Sequence, residues 1–332
     1  MVITGSKNFQ EGVYMHKNCR AIFLMGIMML LATSIVAQGP DTLWTRTYGT
    51  DYSEYGKSVQ QTTDGGYIIT GSAQSHVHYY DDVYIIKTDS LGDTLWTRTF
   101  GGVGSDDGCS VQQTFDGGYI VVGCTDSFVE YGEVYLIKID TIGNPTWTRT
   151  YGGVSGLSYA GGYSVKQTSD SGYVVAGMKC NYSERSNCDV YLIKTNVNGY
   201  TKWAKTYGDT AWYECGRSVQ QTSDSGYIVV GSRSNSGEGY SDVYLIKADS
   251  SGDTIWTRAY TSPEYEEAYS VQQTFDGGYI ITGWTAPTIW EPSNAFLMKI
   301  NEFGDIVWTR IYGGSDYFGG ESVRQTADGG YI

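Results

Sequence analysis

Adjacent carboxylates stand in the turn-rich segments of this chain: Asp106-Asp107 and Glu266-Glu267, with Glu264 close by. Opposed across a cleft, such a pair could serve glycoside cleavage as acid and base or nucleophile. Gathered on one side, loop carboxylates could hold calcium, which takes oxygen ligands, and Asp106 and Asp107 are the candidate ligands. No other cofactor is expected. Large aromatics occupy the same kind of segment: Tyr79, Tyr80, Tyr131, Trp212, Tyr240, Trp284, Trp290 and Tyr317. Aromatic platforms suit sugar rings or protein hot spots. The stretch 284–294 deviates most from its counterparts, with two tryptophans and two prolines, and is the strongest single candidate for a contact site. His76 and His78 lack a third ligand nearby and read as surface-loop residues rather than a metal site. No nucleophile elbow, phosphate loop or zinc signature occurs.

The elements that must position these residues follow from a repeat. Ser58-Val59-Gln60-Gln61-Thr62 returns in close variants starting at Ser110, Ser164, Ser218, Ser270 and Ser322, at steps of 52 or 54 residues. A second phrase, Trp44-Thr45-Arg46, returns at Trp96, Trp147, Trp203, Trp256 and Trp308. A fixed period of this length marks a repeat architecture. Within residues 58–99, four short strands are expected. Strand a is Ser58–Thr62, followed by the hairpin signal Asp64-Gly65. Strand b is Tyr67–Gly71, strand c Val83–Lys87 and strand d Thr94–Thr99, with Asp89-Ser90-Leu91-Gly92 between c and d. Strands b and c are almost continuously apolar, which requires burial on both faces. Four antiparallel strands buried on both faces suit a propeller blade better than a parallel β-helix coil.

The six tryptophans are expected to wedge between neighbouring blades as structural residues. A cation two residues after each of the last five (Arg98, Arg149, Lys205, Arg258, Arg310) is expected to pair across strands with an acid of strand c such as Asp82. The chain carries six cysteines. Cys109 and Cys124 fall opposite each other if Asp116-Gly117 is a two-residue turn, and Cys180 and Cys188 bracket one loop. Both pairs are disulfide candidates, with unbridged buried thiols as the alternative.

The segment Asp89-Ser90-Leu91-Gly92-Asp93-Thr94-Leu95-Trp96 resembles the tryptophan-docking turn of quinoprotein propellers, one residue shorter between Asp and Gly. Further phrases carry a broader resemblance: residues 147–153 (WTRTYGG), 172–177 (GYVVAG) and 189–194 (DVYLIK). On these the chain is similar to the seven-bladed β-propeller repeats of exported bacterial proteins. The resemblance implies a fold over residues 42–332 and no single chemistry. The fold expected is therefore an all-β propeller of four-stranded antiparallel blades. About six blades are present, the last incomplete, where the resemblance implies seven. The first mature strand, Thr42–Tyr48, reads as a ring-closing d strand. The chain ends inside strand b at Tyr331-Ile332, which reads as a truncated gene product.

Residues 1–37 read as an export signal, with a basic stretch at His16–Arg20, an apolar run over 21–36, and Met15 as an alternative start. The expected location is the bacterial envelope, secreted or at the cell surface, with no membrane span after cleavage. Net charge is −14, which repels phosphate backbones and argues against nucleic acid. Loops between b and c and between d and a vary, while the a–b and c–d turns barely do. Two functional readings result. The first is a non-catalytic binding or adhesion scaffold that meets proteins or glycans through its variable loops. The alternative is a carbohydrate-active enzyme using loop carboxylates.

Overall fold

The computed structural model describes residues 2–6, 42–49, 52–75, 80–128, 132–152, 158–181, 187–209, 212–235, 241–288 and 290–332. The chain divides into two units, Met1–Tyr48 and Gly49–Ile332. In the first, Val2–Ser6 pairs antiparallel with Thr42–Thr47. The strand expected to close a ring thus takes its partner from the chain's own start.

The second unit holds five complete four-stranded antiparallel blades among the described residues. Blade 1 is Glu54–Gln61, Tyr67–Gln74, Asp81–Thr88 and Thr94–Phe100. Blade 2 is Asp106–Gln113, Tyr119–Thr125, Glu133–Ile139 and Pro145–Tyr151. Blade 3 is Ser158–Gln167, Tyr173–Asn181, Asn187–Thr195 and Thr201–Tyr207. Blade 4 is Trp212–Gln221, Tyr227–Asn235, Ser241–Ala248 and Thr254–Tyr260. Blade 5 is Tyr265–Gln273, Tyr279–Ala286, Asn294–Ile300 and Ile306–Tyr312. A sixth blade begins with the bridge between Gln325 and Tyr331. Strand order follows chain order, as an a–b–c–d meander requires. A single parallel bridge, Cys188 to Tyr213, joins blades 3 and 4.

Burial follows the apolar pattern. Ile68, Ile69, Ile85 and Ile86 of blade 1 are almost inaccessible. Cores form between blades: Ile120, Val122, Val134 and Leu136 of blade 2 pack with Val165, Tyr173, Val175 and Ile193 of blade 3. In blades 1 to 5 the d-strand tryptophan meets, edge to face, the tyrosine opening strand b of the next repeat. Trp96 and Tyr119 lie 6.0 Å apart by ring centroid, Trp147 and Tyr173 5.9 Å, Trp203 and Tyr227 5.6 Å, Trp256 and Tyr279 6.4 Å, and Trp308 and Tyr331 5.8 Å.

The Ser-Val-Gln-Gln phrase joins successive a strands. Gln60 Oε1 accepts from the Gln113 amide at 2.6 Å, and Ser58 Oγ from the Val111 amide at 3.3 Å. The same bonds link Gln112 to Gln167, Gln220 to Gln273 and Gln272 to Gln325. The a strands are therefore the inner strands, each held to the next. Lys166 on blade 3 is held below the ordinary lysine range by burial and by Arg324 of the sixth repeat.

At the a–b turns a second constant network appears. Lys87, Lys138, Lys194, Lys247 and Lys299 end the c strands and are buried. They pair with Asp64, Asp116, Asp170, Asp224 and Asp276 at 2.9, 3.0, 2.9, 2.8 and 3.1 Å. Each aspartate also accepts from a turn threonine and a turn glycine amide, as Asp64 does from Thr62 and Gly66. The Thr62 bond is the largest influence on Asp64 and, with Lys87, holds it down to about 2.

Two expected registers differ. The hairpin runs Gln61, then residues 62–66, then Tyr67, with Gly65 at φ +83°. It is a longer, glycine-bulged turn rather than a two-residue one. The c–d register sets Ile85, not Asp82 or its neighbour, opposite Arg98. Arg98 instead covers Trp96 at 5.4 Å and donates to the Ile142 carbonyl of the next blade at 2.9 Å.

Candidate active site in the axial cavity

Every complete a strand carries a β-bulge, and the bulge falls at the same place in each repeat. The register shifts between Gly56 and Ser58, Gly108 and Ser110, Gly162 and Ser164, Gly216 and Ser218, and Ala268 and Ser270. The extra residues are Lys57, Cys109, Tyr163, Arg217 and Tyr269, and Glu321 holds the equivalent position in the sixth repeat. A bulge re-aims its side chain out of the ladder. All six residues line one cavity of about 780 Å³. Ser105, Asp107, Asp126 and Tyr159 complete much of the wall. Ser105 comes from a d–a connection and Asp126 from the end of a b strand, so the cavity opens among the variable connections.

The cavity is polar and of mixed sign. Lys57 Nζ lies 2.5 Å from Asp107 Oδ2. The Arg217 guanidinium sits 4.9 Å from the Tyr163 ring and 6.0 Å from the Tyr269 ring, with Glu267 Oε2 at 3.9 Å. Tyr269 Oη donates to Glu267 Oε2 at 3.0 Å and accepts from Trp284 Nε1 at 2.9 Å. Burial, with Glu267 adding to it, pushes the Tyr269 hydroxyl up to about 12. Burial likewise raises Tyr159 and Tyr163, which remain hydroxyl donors at neutral pH.

A smaller cleft of about 310 Å³ shares Tyr269 and Glu321 with this cavity. Trp284, Glu291, Tyr317 and Phe318 line it. Tyr317 Oη donates to the Trp290 carbonyl at 3.2 Å, while the Trp290 side chain itself stands exposed. Residues of the deviant stretch 284–294 thus line a cleft that shares two wall residues with the axial cavity.

The other expected site residues are dispersed. Tyr80 is exposed and does not line the cavity. Trp212 is stacked under Arg233 at 4.4 Å. Tyr79, Tyr131 and Tyr240 lie outside the described residues, as do His76 and His78. Asp106 and Asp107 part company: Asp106 is fully buried and accepts from Gly102 N and Ser127 Oγ, while Asp107 faces the cavity. Among the described residues no group of three His, Cys, Asp or Glu side chains is arranged to hold a metal ion.

The cysteines also divide. Cys180 and Cys188 are directly opposite in register and form a disulfide. Cys109 and Cys124 remain thiols. The longer turn and the bulge set Asp107, not Cys109, opposite Cys124. Cys215 is a buried thiol, pushed up to about 12 by that burial.

Sequence reasoning missed the bulge position. Its signal is visible in hindsight: one residue, immediately before a near-constant Ser-Val phrase, reads Lys, Cys, Tyr, Arg, Tyr, Glu from repeat to repeat.

No family model and no curated protein sequence matches the chain. Solved structures do match. One, of unknown function from Dyadobacter fermentans, has a TM-score of 0.52 at 12% identity, over 81% of this chain and 85% of that one. Another, of unknown function from Bacteroides caccae, has a TM-score of 0.50 at 13% identity, over 82% and 86%. Puromycin hydrolase has a TM-score of 0.51 at 14% identity, over 77% of this chain and 39% of that one. The non-catalytic scaffold expected from the loops is corrected on two findings, an enzyme among the structural matches and a cavity that gathers acids, cations and phenols. The chain is an all-β protein of β-propeller fold.

Proposed function

We propose that the protein is a carbohydrate-active hydrolase whose reaction takes place in the axial cavity. One observation carries the reading: the bulge position, which changes from repeat to repeat, converges, blade by blade, on that cavity. Scaffolds that hold a constant core and vary one converging position are built to present a site. Glycoside cleavage needs two carboxyl groups flanking the scissile bond, one to protonate the leaving oxygen and one to act as base or nucleophile. Asp107 and Glu321, from blades 2 and 6, are the pair we assign, with Asp126 as a further carboxylate on the wall. Tyr159, Tyr163 and Tyr269 supply ring faces for sugars, and Arg217 and Lys57 supply donors for hydroxyl or carboxylate groups. The adjoining cleft of Trp284, Tyr317 and Phe318 would take further sugar units.

The finer family reading, an exported bacterial propeller of seven blades, belongs to the same proposal. It rests on the repeat phrases and the signal-like N-terminus, and fits an extracellular glycan substrate. Reducing-sugar release across a panel of polysaccharides and aryl glycosides tests the activity. Asp107→Asn and Glu321→Gln should each lower release by about 100-fold or more with the fold intact. Equal release by both folded variants, or none from any substrate class by the native protein, would sink the reading.

A further inference from the structure

We propose that Cys109 and Cys124 form a redox-active dithiol that exchanges with small zwitterionic disulfides entering the axial cavity. Both side chains line that cavity, on adjacent strands of blade 2. Cys109 is the bulge residue, and its thiol is hydrogen-bonded to Cys124. Cys124 receives two more bonds, from the Tyr159 side chain and from the Gly162 backbone N–H. Gly161 packs closely against this sulfur. A Cβ there would lie 2.9 Å from Cys124 Sγ, 3.1 Å from Tyr163 Oη and 3.2 Å from Tyr159 Oη. The Tyr159 and Tyr163 hydroxyls thus stand close to the sulfur, and all three groups line the cavity.

The two thiols have different tasks. The bond from Cys109, then those from Tyr159 and Gly162, hold Cys124 below the ordinary thiol range. The same contact, with burial, raises Cys109. The thiolate is the nucleophile in thiol–disulfide exchange, so Cys124 attacks first. Its sulfur bonds to one sulfur of the substrate disulfide, the S–S bond breaks, and the other half leaves as a thiolate that takes up a proton. Cys109 then loses its proton, a step favoured by the nearby Lys57 cation, and attacks Cys124 Sγ. The second half leaves as a thiol. The substrate gains two electrons and two protons and becomes two thiols, while the pair becomes a Cys109–Cys124 disulfide.

The remaining wall selects the substrate class. Arg217 and Lys57 match carboxylates, and Asp126 and Glu321 match ammonium groups. Cystine carries both, on a disulfide small enough for a cavity of about 780 Å³. The other described cysteines are unsuited: Cys180 and Cys188 are already bonded, and Cys215 is buried.

Cystine is the probe. The native full chain is treated with cystine, quenched in acid, alkylated and mapped by peptide mass spectrometry, with released cysteine counted. The expected result is a Cys109–Cys124 disulfide, two cysteines released per chain, and Cys215 still alkylated. Cys109→Ala should instead trap a cysteinyl mixed disulfide on Cys124. Arg217→Ala should slow cystine about tenfold, as loss of one charged contact does, yet leave an uncharged disulfide such as 2-hydroxyethyl disulfide unaffected. If both thiols of the native chain still alkylate after cystine, or Cys124 keeps a stable mixed disulfide with Cys109 present, the inference is overturned. Because the native chain decides, a variant that fails to fold leaves the test intact. Sugar release is not read, so this outcome is independent of the hydrolase reading.

Discussion

The a–b turns and the axial wall are built from the same repeat and obey opposite rules. At the turns, five buried lysines meet five aspartates at 2.8–3.1 Å in one arrangement. At the wall, the bulge position holds Lys57, Cys109, Tyr163, Arg217, Tyr269 and Glu321. The turn positions are constant because a buried lysine without its partner is costly in every blade alike. The bulge positions are free because a bulge residue is unpaired in the ladder and lines the cavity rather than the blade core. The repeat thus separates what holds the blades from what meets a ligand, with only a few residues between them.

Substitutions on either side of this divide test it, the largest effect first. Trp147 seals the boundary of blades 2 and 3 against Tyr173 and Gly199. Trp147→Ala should cost about 3–5 kcal/mol, read by urea unfolding. Asp170→Ala should come close to this, about 3 kcal/mol, since it strands buried Lys194. An unchanged midpoint in either would break the claim that constant positions carry the fold.

The boundary of blades 3 and 4 sharpens the comparison through pH. Glu214 is buried, and one of its oxygens has no hydrogen-bond partner. Burial, then Asp209 and Asp189, pushes it up to about 7. A carboxyl raised on folding stabilises the fold when protonated. Stability is therefore greatest below the unfolded glutamate range of about 4.3 and falls as pH rises to about 7. The fall is of order 2–3 kcal/mol from this residue. Melting temperature should drop between pH 4.5 and 7.5, and Glu214→Gln should flatten that drop. A profile that is unaltered in the variant would count against it.

Smaller effects belong to the wall. Arg217→Ala and Tyr163→Phe should leave stability within about 1 kcal/mol while changing ligand binding in the cavity. A wall variant that unfolds the protein would erase the distinction. Smallest is a gain: Ser171 and Ser225 hold φ of 63° and 66° where Gly65, Gly117 and Gly277 stand in other blades. Ser225→Gly should add up to about 1 kcal/mol by relieving left-handed strain, visible in thermal unfolding.

Much of the fold was legible along the chain, and the reason is repetition. Six copies of Ser-Val and six tryptophans reveal a period, and apolar runs such as Val83–Ile86 reveal burial on both faces. Registers were less legible. The pairing of Cys109 with Cys124 failed as a facing pair because a glycine-bulged turn and a strand bulge each displaced the count. No such shift separates Cys180 from Cys188, and that pair is bonded. The candidate site was scarcely legible. Loop aromatics such as Tyr80 and Trp212 were singled out by type, yet they stand apart from the cavity. Trp284 and Tyr317 do meet beside it, through contacts over 30 residues of chain.

The sequence by itself determined the strand meander, the blade as repeating unit and the residues that must be buried, because local periodicity and apolar runs act within one repeat. Tertiary structure alone decided which residues face one another across the axis. Lys57 and Glu321 are 264 residues apart in the chain and share a cavity only because successive inner strands, held by side chain-to-backbone bonds, follow a curve. Chemistry at such a site depends on that curvature in space, which no spacing within a single repeat encodes.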